Sequence, residues 1–146
     1  MIREELDRRL AEVEEKLIGI ERTRDNRIYL LCDAENVYSI CQFLFDELAL
    51  RFVISSGVDA EHCFEVLHHF SADACGCVVT VKAFIRDRAA PEIESITPLI
   101  PGAEWIEREM HDILGIHFKN HPNLQRLILH DDWPQGVYPL RKEVQL

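Results

Sequence analysis

Strict alternation of apolar and polar residues near the middle of the chain limits the fold more than any other feature. The apolar positions are Cys77, Val79, Val81, Ala83 and Ile85. The positions between them include Thr80 and Lys82. Successive side chains of a β-strand point to opposite faces of its sheet, so this segment predicts a strand with one buried and one partly solvated face. The buried face requires a covering layer of other elements.

Apolar residues spaced by three and four predict two helices that can supply this layer. The first runs from Ile2 to about Leu17, and the second begins after Asp33, a plausible N-cap, and runs to about Leu50. The apolar face of the second helix consists of Val37, Ile40, Cys41, Leu44, Phe45 and Leu48. The first helix can pack on the sheet, which is the favoured interpretation, or bind a partner.

Three further segments predict strands, at Arg27 to Cys32, Arg51 to Ser55 and Glu61 to Phe70. Ser56 to Asp59 is interpreted as a turn, and Glu92 to Ile100 as a short helix. Strands and helices do not alternate regularly along the chain. The sequence therefore predicts an α+β fold of two layers, with helices packed on a mixed or mostly antiparallel sheet.

Histidines and cysteines in the first half of the chain invite a metal interpretation. His68 and His69 are neighbours, so on a strand they point to opposite faces. Cys75 and Cys77 supply only half of a tetrahedral site. We expect no metal or redox role for these residues. The odd count of five cysteines, without framework spacing, predicts a reducing compartment.

The segment from Pro101 to Lys142 concentrates charged and aromatic residues. It begins with a predicted helix that ends before Gly115. The apolar stripe of this helix consists of Ile106, Met110, Ile113 and Leu114. On the opposite side Arg108 can form ion pairs with Glu104 and Asp112.

Glu109 lies on the shoulder of the same apolar stripe, where its carboxylate is expected to be partly buried. Such a carboxylate costs free energy unless a cation pairs with it. Arg126 and Arg141 are the candidate cations.

The same segment can be interpreted as a catalytic site or as a docking site. His117 and His121 follow Gly115 and precede Pro122, which disfavours a helical pair of metal ligands. The sequence contains no phosphate-binding loop, zinc-protease motif or nucleophile motif, so independent catalysis is disfavoured as well. The aromatic residues expected to anchor an interface are Trp105, Phe118, Trp133 and Tyr138. The prolines stiffen an extended tail, and the arginines can bind a partner's carboxylates.

Many residues of this segment form an ordered signature. They are Glu107-Arg108-Glu109, Asp112, Gly115-Ile116, Phe118, His121-Pro122, Leu124, Arg126, Asp132-Trp133 and Pro139-Leu140-Arg141-Lys142. This signature resembles that of the 30 kDa subunit of respiratory complex I and of related subunits in membrane-bound nickel–iron hydrogenases. The forms Ile-Glu-Arg-Glu-Met-His-Asp and Trp-Pro-Gln-Gly-Val-Tyr-Pro-Leu-Arg-Lys resemble the hydrogenase branch more than the respiratory one. The sequence departs from the family pattern at Glu104, where many relatives have asparagine, and in ending soon after Lys142, which favours a compact hydrogenase or minimal complex.

The resemblance implies a non-catalytic structural subunit of a membrane-associated oxidoreductase, without a cofactor of its own. Its partners would be the large catalytic subunit and iron–sulfur subunits, which hold the iron–sulfur clusters and either a nickel–iron centre or a quinone site. Residues 1–90 would form the α+β core, and residues 91–146 the motif-bearing helix and docking tail. The alternatives are a stand-alone metal-dependent hydrolase and an unrelated binding module.

The net charge of the chain limits the classes of molecule that it can bind directly. The formal net charge of −10 disfavours nucleic acid and anionic lipid as direct partners. The chain shows neither a signal peptide nor an apolar run long enough to span a membrane. We expect a cytoplasmic location, peripheral to the inner membrane through partner subunits.

Overall fold

The computed structural model describes residues 1–144 and has the predicted α+β fold. The helices are α1 (Arg3–Leu10), α2 (Val37–Gln42) and α3 (Glu104–Leu114). The strands are β1 (Gly19–Arg24), β2 (Arg27–Asp33), β3 (Arg51–Asp59), β4 (Phe64–Ala72), β5 (Cys77–Ile85), β6 (Glu92–Glu94) and β7 (His117–Lys119). A 3₁₀ segment (Ala11–Lys16) extends α1, and a π-helical turn (Phe43–Glu47) extends α2.

Five strands form the main sheet in the order β1-β2-β5-β4-β3. Neighbouring strands are antiparallel except β2 and β5, which are parallel. The alternating segment, β5, lies at the centre of this mixed sheet, where Val79 pairs with Ile28 on one side and with Phe70 on the other. Strands β6 and β7 form a separate parallel pair.

The core lies between one face of this sheet and the helices. Fully buried side chains of the sheet include Phe64, Phe70 and Val81. Leu6 and Leu10 of α1 are also fully buried, so this helix packs on its own sheet, as the favoured interpretation states. Within residues 1–144, no helix combines the length and the apolar character needed to cross a membrane.

Strand β3 corrects the prediction of a turn at Ser56 to Asp59, because the strand continues to Asp59. The glycine that suggested the turn has a packing role. A Cβ atom added to Gly57 would lie 2.7 Å from Leu114 Cδ1 and 3.1 Å from Met110 Sδ. Glycine in the interior of a strand marks a close approach of another element, and here that element is α3.

Four other local predictions are wrong or incomplete. Glu92 to Ile100 begins as β6 and contains no helix. Strand β1 was not predicted, because its residues beyond Ile20 are exposed and lack an apolar alternation. Asp33 does not cap a helix through its side chain, and its carboxylate instead pairs with Arg86 at 2.9 Å. The second helix also ends earlier than Leu50.

The cysteines and histidines lie at separate places in the fold. All five cysteines are free thiols, and within residues 1–144 no group of three or more His, Cys, Asp or Glu side chains is placed to hold a metal ion. The neighbours on β4 point to opposite faces as predicted. His68 is fully buried and its Nδ1 lies 2.6 Å from Ser55 Oγ, whereas His69 contacts Ser56 and Thr80 on the open face.

The buried ring of His68 gives a prediction about acid sensitivity. Burial lowers the pKa of His68 from 6.5 to about 3. The unfolded chain therefore binds a proton near pH 6.5 that the folded chain rejects, so stability falls as pH decreases from about 6.5 towards 3. Between pH 7 and pH 5 we expect the wild-type chain to lose about 2 kcal/mol at this residue. Urea unfolding at both pH values should show a smaller loss for His68→Gln, and equal losses would contradict the assignment.

Candidate partner-binding surface

The C-terminal tail, residues 120–144, contains no helix or strand and is held on α3 by side chains. Asp112 provides one attachment through three hydrogen bonds. Its Oδ2 accepts hydrogen bonds from the backbone N–H groups of Leu127, Ile128 and Leu129 at 2.8, 2.8 and 3.1 Å. The Asp112 residue is 3% exposed, so these three bonds replace the water that the carboxylate loses.

Arg108 holds the tail from the neighbouring side of α3. Its Nε and Nη2 donate to the carbonyl oxygens of Gln125 and Arg126, both at 2.9 Å. Its separation from the Glu104 carboxylate is 4.0 Å. The predicted ion pair with Asp112 is wrong, because that carboxylate is engaged by the tail backbone.

Arg126 folds the tail onto itself in the same way. Its Nη1 donates to the carbonyl oxygens of His130 and Trp133 at 2.9 and 2.8 Å. The Trp133 indole Nε1 donates in turn to the carbonyl oxygen of Val137 at 2.7 Å. These contacts stabilise turns that have no regular backbone pairing.

Arg141 closes the tail over the C-terminal end of α3. Its Nε donates to the Leu114 carbonyl oxygen at 2.7 Å, and its guanidinium carbon lies 4.5 Å from the Tyr138 ring centroid and 4.9 Å from that of Phe64. Leu140 N donates to the Ile113 carbonyl oxygen at 3.1 Å. The last carbonyls of a helix lack partners within the helix, and here the tail supplies them.

Glu107 links α3 to the segment after β6 and is fully buried. Its Oε1 accepts the Ile96 N–H at 2.8 Å, and its Oε2 accepts the hydroxyl groups of Thr97 at 2.7 Å and of Ser95. Desolvation by burial raises the pKa of the Glu107 carboxyl, and these hydrogen bonds oppose the shift. Sequence reasoning gave this residue no structural role.

His121 lies beside Glu107, with 3.8 Å between its Nε2 and the Glu107 Oε2. The backbone assigns its tautomer. Nδ1 accepts the Asn123 N–H at 3.0 Å, so the proton is on Nε2, which donates to the Glu104 carbonyl oxygen at 3.1 Å. His121 therefore links α3 to the tail through both ring nitrogens. His117 is exposed on β7, apart from this link.

Glu109 has neither of the cations that the sequence suggested, because Arg126 and Arg141 are engaged with backbone carbonyls. Phe118 is also misassigned as an interface anchor, since it is 1% exposed within the core. Among the other predicted interface residues, Glu107 and Asp112 are buried and bind other parts of this chain. Pro122, Asp132, Leu140 and Lys142 are exposed, and Pro139 is half-buried.

An exposed apolar surface lies beside the attached tail, and we call it the Trp105 surface. It is lined by Phe52, Val53, Ile54, Trp105, Ile106, Glu109, Leu127 and Ile128. Trp105 is 68% exposed, Ile128 57% and Ile54 50%. Strand β3, α3 and the tail each contribute to it.

The β3 contribution was missed by sequence reasoning. The pairing of β3 with β4 shifts between Phe52 and Ile54, so a bulge interrupts the alternation. As a result Val53 and Ile54 are both exposed. The run Phe52-Val53-Ile54, three consecutive apolar residues in a predicted strand, was the available signal.

Comparisons with known proteins agree on one family. The sequence model of the family "respiratory-chain NADH dehydrogenase, 30 kDa subunit" matches residues 30–146. The C subunit of the F420H2 dehydrogenase of Methanosarcina mazei is 36% identical over 130 residues, covering 87% of this chain and 80% of the relative. The C subunit of an NADH-quinone oxidoreductase of Salinispora tropica is 35% identical over 124 residues. The match covers 77% of this chain, which spans about half of that relative (47%).

Two further similarities concern larger assemblies. A segment of formate hydrogenlyase subunit 5 of Escherichia coli is 45% identical over 67 residues, which are 46% of this chain and 12% of that protein. A chain in the structure of the membrane-bound sulfane sulfur reductase, an archaeal respiratory membrane complex, has the same fold. The TM-score is 0.78 at 22% identity, with 97% of this chain and 86% of the other covered.

Proposed function

The chain belongs to the family of the 30 kDa subunit of the respiratory-chain NADH dehydrogenase, and from this premise we propose that it is a non-catalytic structural subunit of a complex I-like oxidoreductase. It docks the large catalytic subunit and the iron–sulfur subunits in the peripheral arm of a membrane-associated complex. Electron transfer in that complex is coupled to ion translocation. The complex is an NADH–quinone oxidoreductase or an energy-converting hydrogenase.

The observation that carries this proposal is the Trp105 surface. Exposed tryptophan surrounded by aliphatic side chains is typical of interface anchors, and adjoining exposed apolar residues mark contact sites. Strand β3, helix α3 and the tail meet at this surface. Charged residues of the signature, such as Asp112, hold the tail in place there. The signature thus supports docking indirectly, by shaping the surface.

The formate hydrogenlyase relative supports attachment to a larger subunit. In that protein the similar segment is only 12% of one polypeptide. In that relative the segment is covalently joined to the rest of a larger polypeptide. Where the segment is instead a separate chain, we expect it to contact the larger subunit non-covalently. We therefore propose that the large subunit lies against this chain.

Holding redox subunits in register is the physical role of such a subunit. Electron tunnelling slows steeply with distance, so a small displacement between redox centres reduces the rate. We propose that the iron–sulfur clusters, and a nickel–iron or quinone site, belong to the partner subunits. The chain then reaches the membrane through those partners.

Affinity purification of the tagged chain from membranes tests this function. We expect the wild-type chain to recover a redox complex in fixed stoichiometry, and Trp105→Ala to weaken the association by about 30-fold or more. Ile18→Ala is the matched control, because Ile18 is 54% exposed but lies outside the Trp105 surface. Recovery of the wild-type chain alone, or hydrolase activity with about one bound metal per isolated chain, would overturn the proposal.

A further inference from the structure

Among the described residues, Glu109 is the only ionisable one that lines the Trp105 surface. It follows Trp105 by one helical turn, so the two side chains emerge on the same side of α3. Phe52 and Ile54 of β3 and Ile128 of the tail line the rest of the same groove. Glu109 is half-buried, and the side chains that line the groove with it are apolar.

No side chain within residues 1–144 pairs with this carboxylate. The other carboxylates of α3 are engaged, since Glu107 binds the 95–97 segment and Asp112 binds the tail. Glu104 contacts Asn123 and approaches Arg108. Glu109 takes part in none of the hydrogen bonds or ion pairs that hold the tail.

The arginines of α3 and the tail cannot pair with Glu109 without losing hydrogen bonds to backbone carbonyl groups. Arg108, Arg126 and Arg141 each donate to carbonyl oxygens of this chain at 2.7–2.9 Å. Turning one of them towards Glu109 would break the hydrogen bonds that hold the tail on α3 or fold it onto itself. A cation from another polypeptide can pair with Glu109 and leave these bonds intact.

We propose that the subunit docked on the Trp105 surface places an arginine or lysine against Glu109. This inference rests on the proposed function and specifies the chemistry of that partner. Covering the groove removes water from the carboxylate, which is strongly unfavourable unless a cation replaces it. The exposed indole of Trp105 offers the same cation a favourable aromatic face. Glu109 thereby selects a partner segment that is apolar and carries one basic side chain.

Dissociation of the tagged chain from the purified, immobilised complex tests the inference, with untagged chain as competitor. We expect Glu109→Gln to raise the dissociation rate at least about 30-fold, because the partner's cation would remain buried without a counter-charge. The rate should also depend less on salt concentration than in the wild type. Glu109→Asp should restore part of the loss. The control is Glu61→Gln, whose side chain is 85% exposed on the loop before β4.

The outcomes separate the two proposals. Unchanged dissociation rate and salt dependence in Glu109→Gln, together with weakened binding in Trp105→Ala, would overturn the charge pairing and leave the docking function intact. Failure of the wild-type chain to recover any complex would overturn both. Urea unfolding of the Glu109→Gln chain should match that of the wild type. In the wild-type complex, residues 105–109 should be protected from hydrogen exchange.

Discussion

Replacing Glu107 by alanine should lower the free energy of unfolding by about 3–5 kcal/mol, the largest effect we expect for a single side chain. The change leaves the Ser95 and Thr97 hydroxyl groups and the Ile96 N–H without their acceptor inside the protein. It also leaves a cavity beneath α3. Urea unfolding at pH 7 measures the loss.

Glu107→Gln is the informative companion. Its amide oxygen can accept some of the same bonds, so the loss should be smaller than for alanine. Burial raises the pKa of Glu107, so the pH-dependent part of its contribution is fully present below the unfolded pKa near 4.5 and is lost as pH rises through the folded value, whereas the packing part remains at pH 7. The stability of the wild type relative to Glu107→Gln should therefore increase as pH falls through that range. A loss below about 1 kcal/mol for Glu107→Ala would show that the network is not structural.

Gly115→Ala should destabilise the chain by about 2–4 kcal/mol and release the tail from α3. Gly115 has a φ of +71°, a backbone conformation that costs L residues about 1–2 kcal/mol. A Cβ atom there would also lie 2.6 Å from Tyr138 Cδ2. The ring must move, and Arg141, which stacks on it, loses its position over Leu114. Urea unfolding and tryptic cleavage after Arg141 measure the two effects.

Gly136→Ala provides a matched control for this experiment. Gly136 has a similar φ of +75°, but nothing lies within 4 Å of an added Cβ atom. It should therefore show only the conformational cost and keep the tail in place. Equal stability and equal cleavage rates for the two variants would contradict the role assigned to the Tyr138 contact.

The central strand and α3 could be predicted because their patterns are local. The odd positions of β5 are buried as expected, and α3 ends at Gly115 as its sequence indicates. Gly57 was misleading for the opposite reason. A glycine is required at this position because α3, more than fifty residues away in the chain, packs against it. No local sequence pattern indicates such a contact.

The candidate site was predicted in part. Glu109 is half-buried, as the sequence indicated, but sequence reasoning did not identify the deeper burial of Glu107 and Asp112 on the same helix. The side of α3 that carries Glu107 is covered by residues 95–97, which the sequence suggested to be helical. Family membership was predicted correctly from the ordered signature. The arginines of the signature bind backbone carbonyl groups. These partners could not be predicted, because every residue type has the same carbonyl group.

The three bonds from Asp112 to consecutive backbone amides have a kinetic consequence. They fix Leu127 and Ile128 to the helix that carries Trp105, so these groups keep one relative arrangement before any encounter. Little conformational freedom then remains to be lost when a second protein arrives, and association requires only a correctly oriented collision.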